Sequence, residues 1–292
     1  MTHIAIVGPG AIGGTMAGWL TQDGRHQIIV AARTAFPHLE IETPARTLRA
    51  EPRVLTDPQT ANPVDWVLIA TKAYDTLGAA KWLAHLVGET TRVAVLQNGV
   101  EHVERFSPFV AKDRIVPVMV DCPAERIKPG HIRQRGAARM VVPRSAHGID
   151  FVELFSRTEI EVSAAEDFHS QLWRKLCLNS VGALSAIVLR PAVIARHAGV
   201  ADLMRAVVRE CVAVGRAEGA HLDDDLAESI IEGYRKAPPD SINSMHADRL
   251  AGRPMEIDAR NGAIVRLGAR HGIETPLNKM IVSLLEAATV SF

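Results

Sequence analysis

Near the start of the chain stands a set of glycines at a spacing that could hold a phosphate. Gly8-Pro9-Gly10-Ala11-Ile12-Gly13 follows the β-branched run His3-Ile4-Ala5-Ile6-Val7 and leads directly into the helix-like stretch Ala11–Asp23. A G-x-G-x-x-G spacing between strand and helix is the pattern of a dinucleotide-binding turn. Gly8 permits the sharp turn, Gly10 lets backbone approach a pyrophosphate, and Gly13 lets the helix lie against the strand. The helix N-terminus then faces the diphosphate with unused N–H groups and a positive dipole end. An ordinary glycine turn is the competing meaning.

Base preference depends on the residues at the end of the second strand. NAD-binding folds place an acid there, about 20 residues past the glycines. Here Ala31-Ala32 is followed by Arg33, with no acid adjacent. A guanidinium at that point suits a 2′-phosphate, so the expected cofactor is NADP(H). A solvated surface arginine is the alternative. Lys72, in Ala70-Thr71-Lys72-Ala73-Tyr74-Asp75, and Asn98, in Gln97-Asn98-Gly99-Val100, each come just after an apolar strand-like run. Lysine there can add to phosphate neutralisation. Asn98 offers donors and an acceptor to ribose, nicotinamide or substrate. Taken singly, either is equally a polar loop residue.

A second group lies in the other half of the chain. Lys175 and Asn179 are four apart in Trp173-Arg174-Lys175-Leu176-Cys177-Leu178-Asn179 and therefore share a helix face. Apolar neighbours would half-bury that segment, and a desolvated lysine can act as an acid. On pattern alone Lys175 is more often a solvated helix lysine. Ser244 and Asp248 form another i,i+4 pair, followed by Glu256, Asp258 and Asn261-Gly262. Carboxylates near a helix start are favourable in any protein.

These groups need a scaffold. Gln27–Ala32, Asp65–Ala70, Arg92–Leu96 and Ile115–Val120 read as further strands, the last made less regular by Pro117. Helix-like stretches, notably Ala11–Asp23 and Thr76–Leu86, lie between strands, which predicts a parallel sheet covered on both faces. From Phe168 the pattern is helical throughout. Val200–Glu218 has apolar residues at Leu203, Val207, Val208, Cys211, Val212 and Val214, with Gly219 as its stop. Ala259–Arg270 and Leu277–Ala288 read as helices, Lys236–Asp240 as a loop, and Asp223–Asp225 as a helix N-terminal turn. The expected fold is α/β: a Rossmann-type dinucleotide-binding domain over residues 1–165, then an all-α substrate and catalytic domain over residues 166–292.

Composition excludes several classes. The 33 basic and 33 acidic residues cancel, so no net field recruits nucleic acid or an anionic membrane. Cys122, Cys177 and Cys211 are odd in number and far apart, which argues against a disulfide framework and a thiolate metal site. His102, His169, His221 and His246 lack paired ligand spacing, and Ser185 lies in no nucleophile elbow, so no metal or serine chemistry is expected. No apolar run reaches about 18 residues. The start has no basic segment before an apolar one, so it does not read as a signal peptide and the cytoplasm is the expected location.

Together, Gly8-x-Gly10-Ala11-Ile12-Gly13, Thr71-Lys72-Ala73-Tyr74, Gln97-Asn98-Gly99, Lys175-Leu176-x-x-Asn179, Ser244-Met245-x-x-Asp248 and Glu256-Ile257-Asp258 resemble the ketopantoate reductase family over nearly the whole length. The resemblance implies NADPH-dependent reduction of a 2-oxo acid to a 2-hydroxy acid, with 2-dehydropantoate (ketopantoate) as the expected substrate. It implies that Lys175 is the general acid beside the keto oxygen and that Glu256 orients substrate and works with Lys175. Asn98, Asn179 and Ser244, with Asp248 in the same motif, would surround the keto acid, and Arg33 and Lys72 would flank the 2′-phosphate. The chain departs from the family pattern at two places. Val181-Gly182-Ala183-Leu184-Ser185-Ala186 lacks a second, substrate-binding asparagine, and Asp121-Cys122-Pro123-Ala124 lacks a threonine-rich stretch. A different 2-oxo acid or ketone therefore stays open as substrate, and a non-catalytic NADP(H)-binding regulator is the reading from another class. A homodimer through the helical half is compatible with the sequence. No nucleic-acid or membrane partner is expected.

Overall fold

The computed structural model describes residues 1–289. They divide into two compact units, one running from Met1 to Phe168 and the other from His169 onward. The strands of the first unit are β1 (Thr2–Val7), β2 (His26–Ala31), β3 (Leu39–Glu42), β4 (Thr47–Ala50), β5 (Arg53–Leu55), β6 (Trp66–Ile69), β7 (Arg92–Val95), β8 (Ile115–Pro117), β9 (Met119–Asp121), β10 (Ala124–Lys128), β11 (His131–Gln134), β12 (Arg139–Pro143) and β13 (Glu161–Ala165). Its helices are α1 (Ala11–Asp23), α2 (Thr76–Leu86), α3 (His102–Phe106) and α4 (Ala146–Leu154).

The main sheet has the order β5-β2-β1-β6-β7-β8, and every neighbouring pair is parallel. Alternation of side chains gives it two buried faces. Ile4 and Ile6 of β1 join a core with Met16, Trp19 and Leu20 of α1. Ala5 and Val7 join another with Ala79, Trp82 and Leu83 of α2. Two covered faces are why the strands read as near-continuous apolar runs. The chain goes from β1 through α1 to β2, and later returns to the other side of β1 as β6. Such a reversal of strand order opens a crevice at the strands' carboxyl ends, where ligands of open α/β sheets bind.

The small sheets carry no strong period in the sequence and are not among the expected elements. One has the order β10-β11-β3-β4 and the other β13-β12-β9. The four-stranded sheet packs directly on α1. A Cβ on Gly14 would lie 2.0 Å from Ile132 Cδ1, and one on Gly18 would lie 1.9 Å from Ile41 Cδ1. Glycines one turn apart thus let β11 and β3 press onto the helix, so that Gly13 through Leu20 are all buried. The expected single strand Ile115–Val120 is two strands. β8 ends at Pro117 on the edge of the main sheet, and β9 pairs antiparallel with β12. Proline lacks the N–H that would continue a ladder, and the chain changes sheets there.

Among its described residues the second unit is helical: α5 (Phe168–Val188), α6 (Ala198–Ala217), α7 (Leu226–Lys236), α8 (Ser244–Leu250), α9 (Ala263–Arg270) and α10 (Pro276–Ala287). Trp173 of α5 is fully buried and approaches α6 closely, since a Cβ on Gly215 would meet its ring at 2.8 Å. Gly219, with φ +90°, ends the α6 segment. The expected helix over 259–270 begins as a π-helical turn, Asp258–Gly262, which buries Ala259, Arg260 and Asn261. The Asp223–Asp225 run stands at the start of α7, with Asp225 at the N-cap, but the side chains of Asp223 and Asp224 turn to arginines. They pair with Arg174 and Arg216, each at 2.6 Å, because nearby guanidiniums compete better than a weak dipole. No helix of the described residues is long and apolar enough to cross a membrane.

Candidate active site

In the first unit, the residues marked by the sequence fall along one edge of the sheet. Gly8–Gly13 joins β1 to α1, Arg33 follows β2, Lys72 follows β6, and Asn98 follows β7. These strands are consecutive, β2-β1-β6-β7, so their carboxyl ends present the residues as one row. Gly8 has φ +92°, and a Cβ there would lie 2.8 Å from the Thr71 backbone nitrogen. A Cβ on Gly13 would lie 2.3 Å from the Gly8 carbonyl oxygen and 2.8 Å from Ala70 Cβ. Both positions therefore need glycine for packing within the protein. Gly10 differs. A Cβ there would meet nothing within 4 Å. Gly10 also stands at the N-cap of α1 with no side-chain cap. The turn thus offers open space beside uncapped N–H groups, which is the shape a diphosphate requires.

The loops after β6 and β7 are locked to one another. Gln97 Nε2 donates to Thr71 Oγ1 at 3.0 Å and to the Lys72 carbonyl at 3.3 Å. The buried His102 contacts the Gln97 carbonyl through Nε2 at 2.8 Å, so this histidine holds a loop. Arg33 is exposed, and among the described residues its side chain makes no hydrogen bond or ion pair. The first acid after β2 is Glu40, on β3.

In the second unit, Lys175 and Asn179 lie one turn apart on α5, both half-buried. The adjoining turns of α5 are tied to other elements by side chains. Tyr234 Oη donates to the Leu178 carbonyl at 3.4 Å, Asn261 Nδ2 to the Ser180 carbonyl at 3.1 Å, and Asn243 Nδ2 to the Gly182 carbonyl at 2.9 Å. Asn243 also caps α8, its Oδ1 accepting from the N–H groups of Met245 and His246. One residue thus fixes the start of α8, where Ser244 sits, against α5. Asp248 is buried, and its Oδ1 accepts from Arg253 Nε at 2.9 Å. Glu256 is buried just before the π-helical turn.

Sequence reasoning missed Arg260. It is 3% exposed, and its Nη2 donates to Ser244 Oγ at 3.1 Å. Its Nε and Nη1 meet no acceptor among the described residues. Burial pulls the guanidinium below its usual range, opposed by the nearby Glu256, Tyr234 and Asp248. Burial likewise pushes the Tyr234 phenol up to about 12. A signal existed. Arg260 precedes Ile264 and Leu267 by four and seven residues, so it continues the buried stripe of α9.

Other conspicuous groups have structural partners. Glu40, Glu42 and His131 lie close enough to hold an ion, but Arg133 Nε donates to Glu42 Oε2 at 2.6 Å, and this guanidinium and His131 lower the Glu42 carboxyl. Cys177 and Cys211 are buried, and desolvation followed by contact with Cys177 raises the Cys211 thiol, which makes it inert.

Comparison with known proteins finds one family in both units. The Ketopantoate reductase PanE/ApbA family model matches residues 4–147, and the Ketopantoate reductase PanE/ApbA C terminal model matches residues 167–289. A 2-dehydropantoate 2-reductase of Caulobacter vibrioides is 55% identical over 99% of this chain and 100% of its own. One from Mycobacterium tuberculosis is 40% identical, over 99% of this chain and 98% of its own. The crystal structure of a PanE/ApbA family ketopantoate reductase from Ralstonia eutropha superposes with a TM-score of 0.90 at 32% identity, covering 98% of each chain. Matches to both halves, and identity this high over the full length, lead to one conclusion: the chain belongs to the ketopantoate reductase family.

Proposed function

We propose that the chain reduces a 2-oxo acid to a 2-hydroxy acid with NADPH, and that ketopantoate is the substrate. The observation that carries this reading is the retention of Lys175, Asn179, Ser244 and Glu256 in a chain 55% identical to a 2-dehydropantoate 2-reductase. A regulator that had lost turnover would have no need of that set.

The residues present fit the cofactor. Open space at Gly10 and the uncapped start of α1 suit a diphosphate. Arg33, exposed and unengaged, with no acid between it and β2, suits a 2′-phosphate and offers no acceptor for a ribose diol. Lys72 would add charge to the same phosphate, and Asn98 would serve ribose, nicotinamide or substrate. When bound, NADPH supplies the hydride that the carbonyl carbon accepts.

The protein's part is to manage the charge that gathers on the carbonyl oxygen. Lys175 would donate the proton or hydrogen bond there. Glu256 would hold substrate and the lysine in register, while Asn179 and Ser244 would bind polar groups of the keto acid. Asp248, bonded to Arg253, would act on substrate through the position of α8. Another 2-oxo acid is the second reading, favoured by one observation: Gly182-Ala183 supplies no polar side chain in place of the family's second asparagine. Free cysteines suit a cytoplasmic enzyme. The test is NADPH oxidation with a panel of 2-oxo acids, with product identified by mass. Turnover led by ketopantoate supports the proposal. NADPH binding with no oxidation across the panel overturns it.

A further inference from the structure

A charged side chain buried with unmet donors is costly, and native structures rarely keep one without use. Arg260 is such a residue. It is 3% exposed, in the π-helical turn just past Glu256, and such turns are frequent at functional sites. Nη2 is bonded to Ser244 Oγ, whereas Nε and Nη1 meet no acceptor among the described residues. Nε lies on one edge of the guanidinium and Nη1 on the other, and Nη2 belongs to both. Nη2 therefore has one N–H left, and the edge away from Ser244 keeps it beside an unmet donor, Nε or Nη1. The acids around it do not close the gap, since Asp248 Oδ1 is taken by Arg253 and Glu256 accepts from neither Nε nor Nη1.

We infer that Arg260 is the receptor for the substrate's carboxylate, gripping it through one edge of the guanidinium beside Ser244. The inference rests on the reading of the chain as a 2-oxo acid reductase and names the group that makes the enzyme prefer an acid. A planar carboxylate matches the fork of an arginine in two parallel hydrogen bonds, which a lysine or an amide does not reproduce. Its negative charge would also relieve the desolvation that pulls the guanidinium down. Ser244, already bonded to Nη2, fixes the plane of the fork.

The test compares a 2-oxo acid with its methyl ester in the full-length wild type, Arg260→Met and Arg260→Lys. The ester keeps the reacting carbonyl and loses the charge. In Arg260→Met, kcat/KM for the acid should fall about 100-fold, mostly through KM, while the ester changes little. Arg260→Lys should recover about 10-fold of that loss. A residue that only supported Ser244 would lower acid and ester alike, and an unchanged ratio overturns the inference. Removing one buried charge beside Glu256 and Asp248 is costly to the fold, so Arg260→Lys carries the comparison if Arg260→Met does not fold. Should the wild type reduce no 2-oxo acid, the functional reading fails by itself. Arg260 is then judged by calorimetric binding of ketopantoate and of its methyl ester, where equal affinities in wild type and Arg260→Lys overturn its role.

Discussion

Alanine at Gly10 and at Gly13 should separate cofactor binding from folding within one six-residue turn. Gly10 has φ −73° and ψ −159°, an extended conformation that alanine adopts, and its Cβ would enter empty space. Loss of unfolded-state freedom offsets the poorer cap, so Gly10→Ala should change stability by less than about 0.5 kcal/mol. The same methyl would occupy the space assigned to the diphosphate. Moving that group off the N–H donors of α1 should cost about 1.4–2.8 kcal/mol, or about 10–100-fold in NADPH affinity. Gly13→Ala meets the protein instead, with 2.3 Å to the Gly8 oxygen and 2.8 Å to Ala70 Cβ. Separating α1 from β1 should cost about 1–3 kcal/mol, with Tm falling about 2–4 °C for each. The assays are thermal unfolding without cofactor and NADPH fluorescence titration. Gly10→Ala binding NADPH like the wild type, or unfolding as early as Gly13→Ala, would mean that the two glycines do not divide these roles.

Arg33→Ala should weaken NADPH about 10-fold and leave NADH unchanged, measured by titration with each; equal losses for both would remove the 2′-phosphate from its role. His246 is buried with neither ring nitrogen bonded, and burial lowers its pKa below 6.5 in the fold. The unfolded chain therefore takes the proton first, and stability present above the unfolded value is lost as pH falls toward the folded one. His246→Phe should lose less stability than the wild type between about pH 8 and about pH 5, read from urea midpoints. Asn278 is fully buried and donates to Glu210 Oε2 at 2.7 Å while accepting from Asn261 at 2.9 Å. Asn278→Leu takes one side-chain bond from each of these partners and should cost about 2–3 kcal/mol in chemical denaturation, without moving the affinity for NADPH.

How much of this could be read in the sequence depended on whether the cause was local. Gly8, Gly10 and Gly13 announce a turn because each constraint lies within a few residues, and β1, β2, β6 and β7 announce themselves because burial on both faces makes them continuously apolar. The break at Pro117 was visible as irregularity, but not as a change of sheet, since the pairing of β9 with β12 is set by residues about 20 positions away. The sheet over α1 was hidden for the same reason. Gly14 and Gly18 look like poor helix residues until Ile132 and Ile41 are set against them. In the helical half, Lys175 and Asn179 gained meaning only from their company with Ser244 and Glu256. Arg260 reads as one arginine among many in sequence. Its burial and its bond to Ser244 are tertiary facts, and the only local hint was an arginine on an apolar stripe.

Lys175 is the proposed proton donor in a keto acid reduction driven by NADPH. The most direct measurement is single-turnover oxidation of bound NADPH by ketopantoate in wild type and Lys175→Met, with NADPH affinity determined on the same samples. The wild type should reduce ketopantoate, and Lys175→Met should bind NADPH normally but react about 100- to 10,000-fold more slowly. A Lys175→Met enzyme that turns over at the wild-type rate would contradict that role.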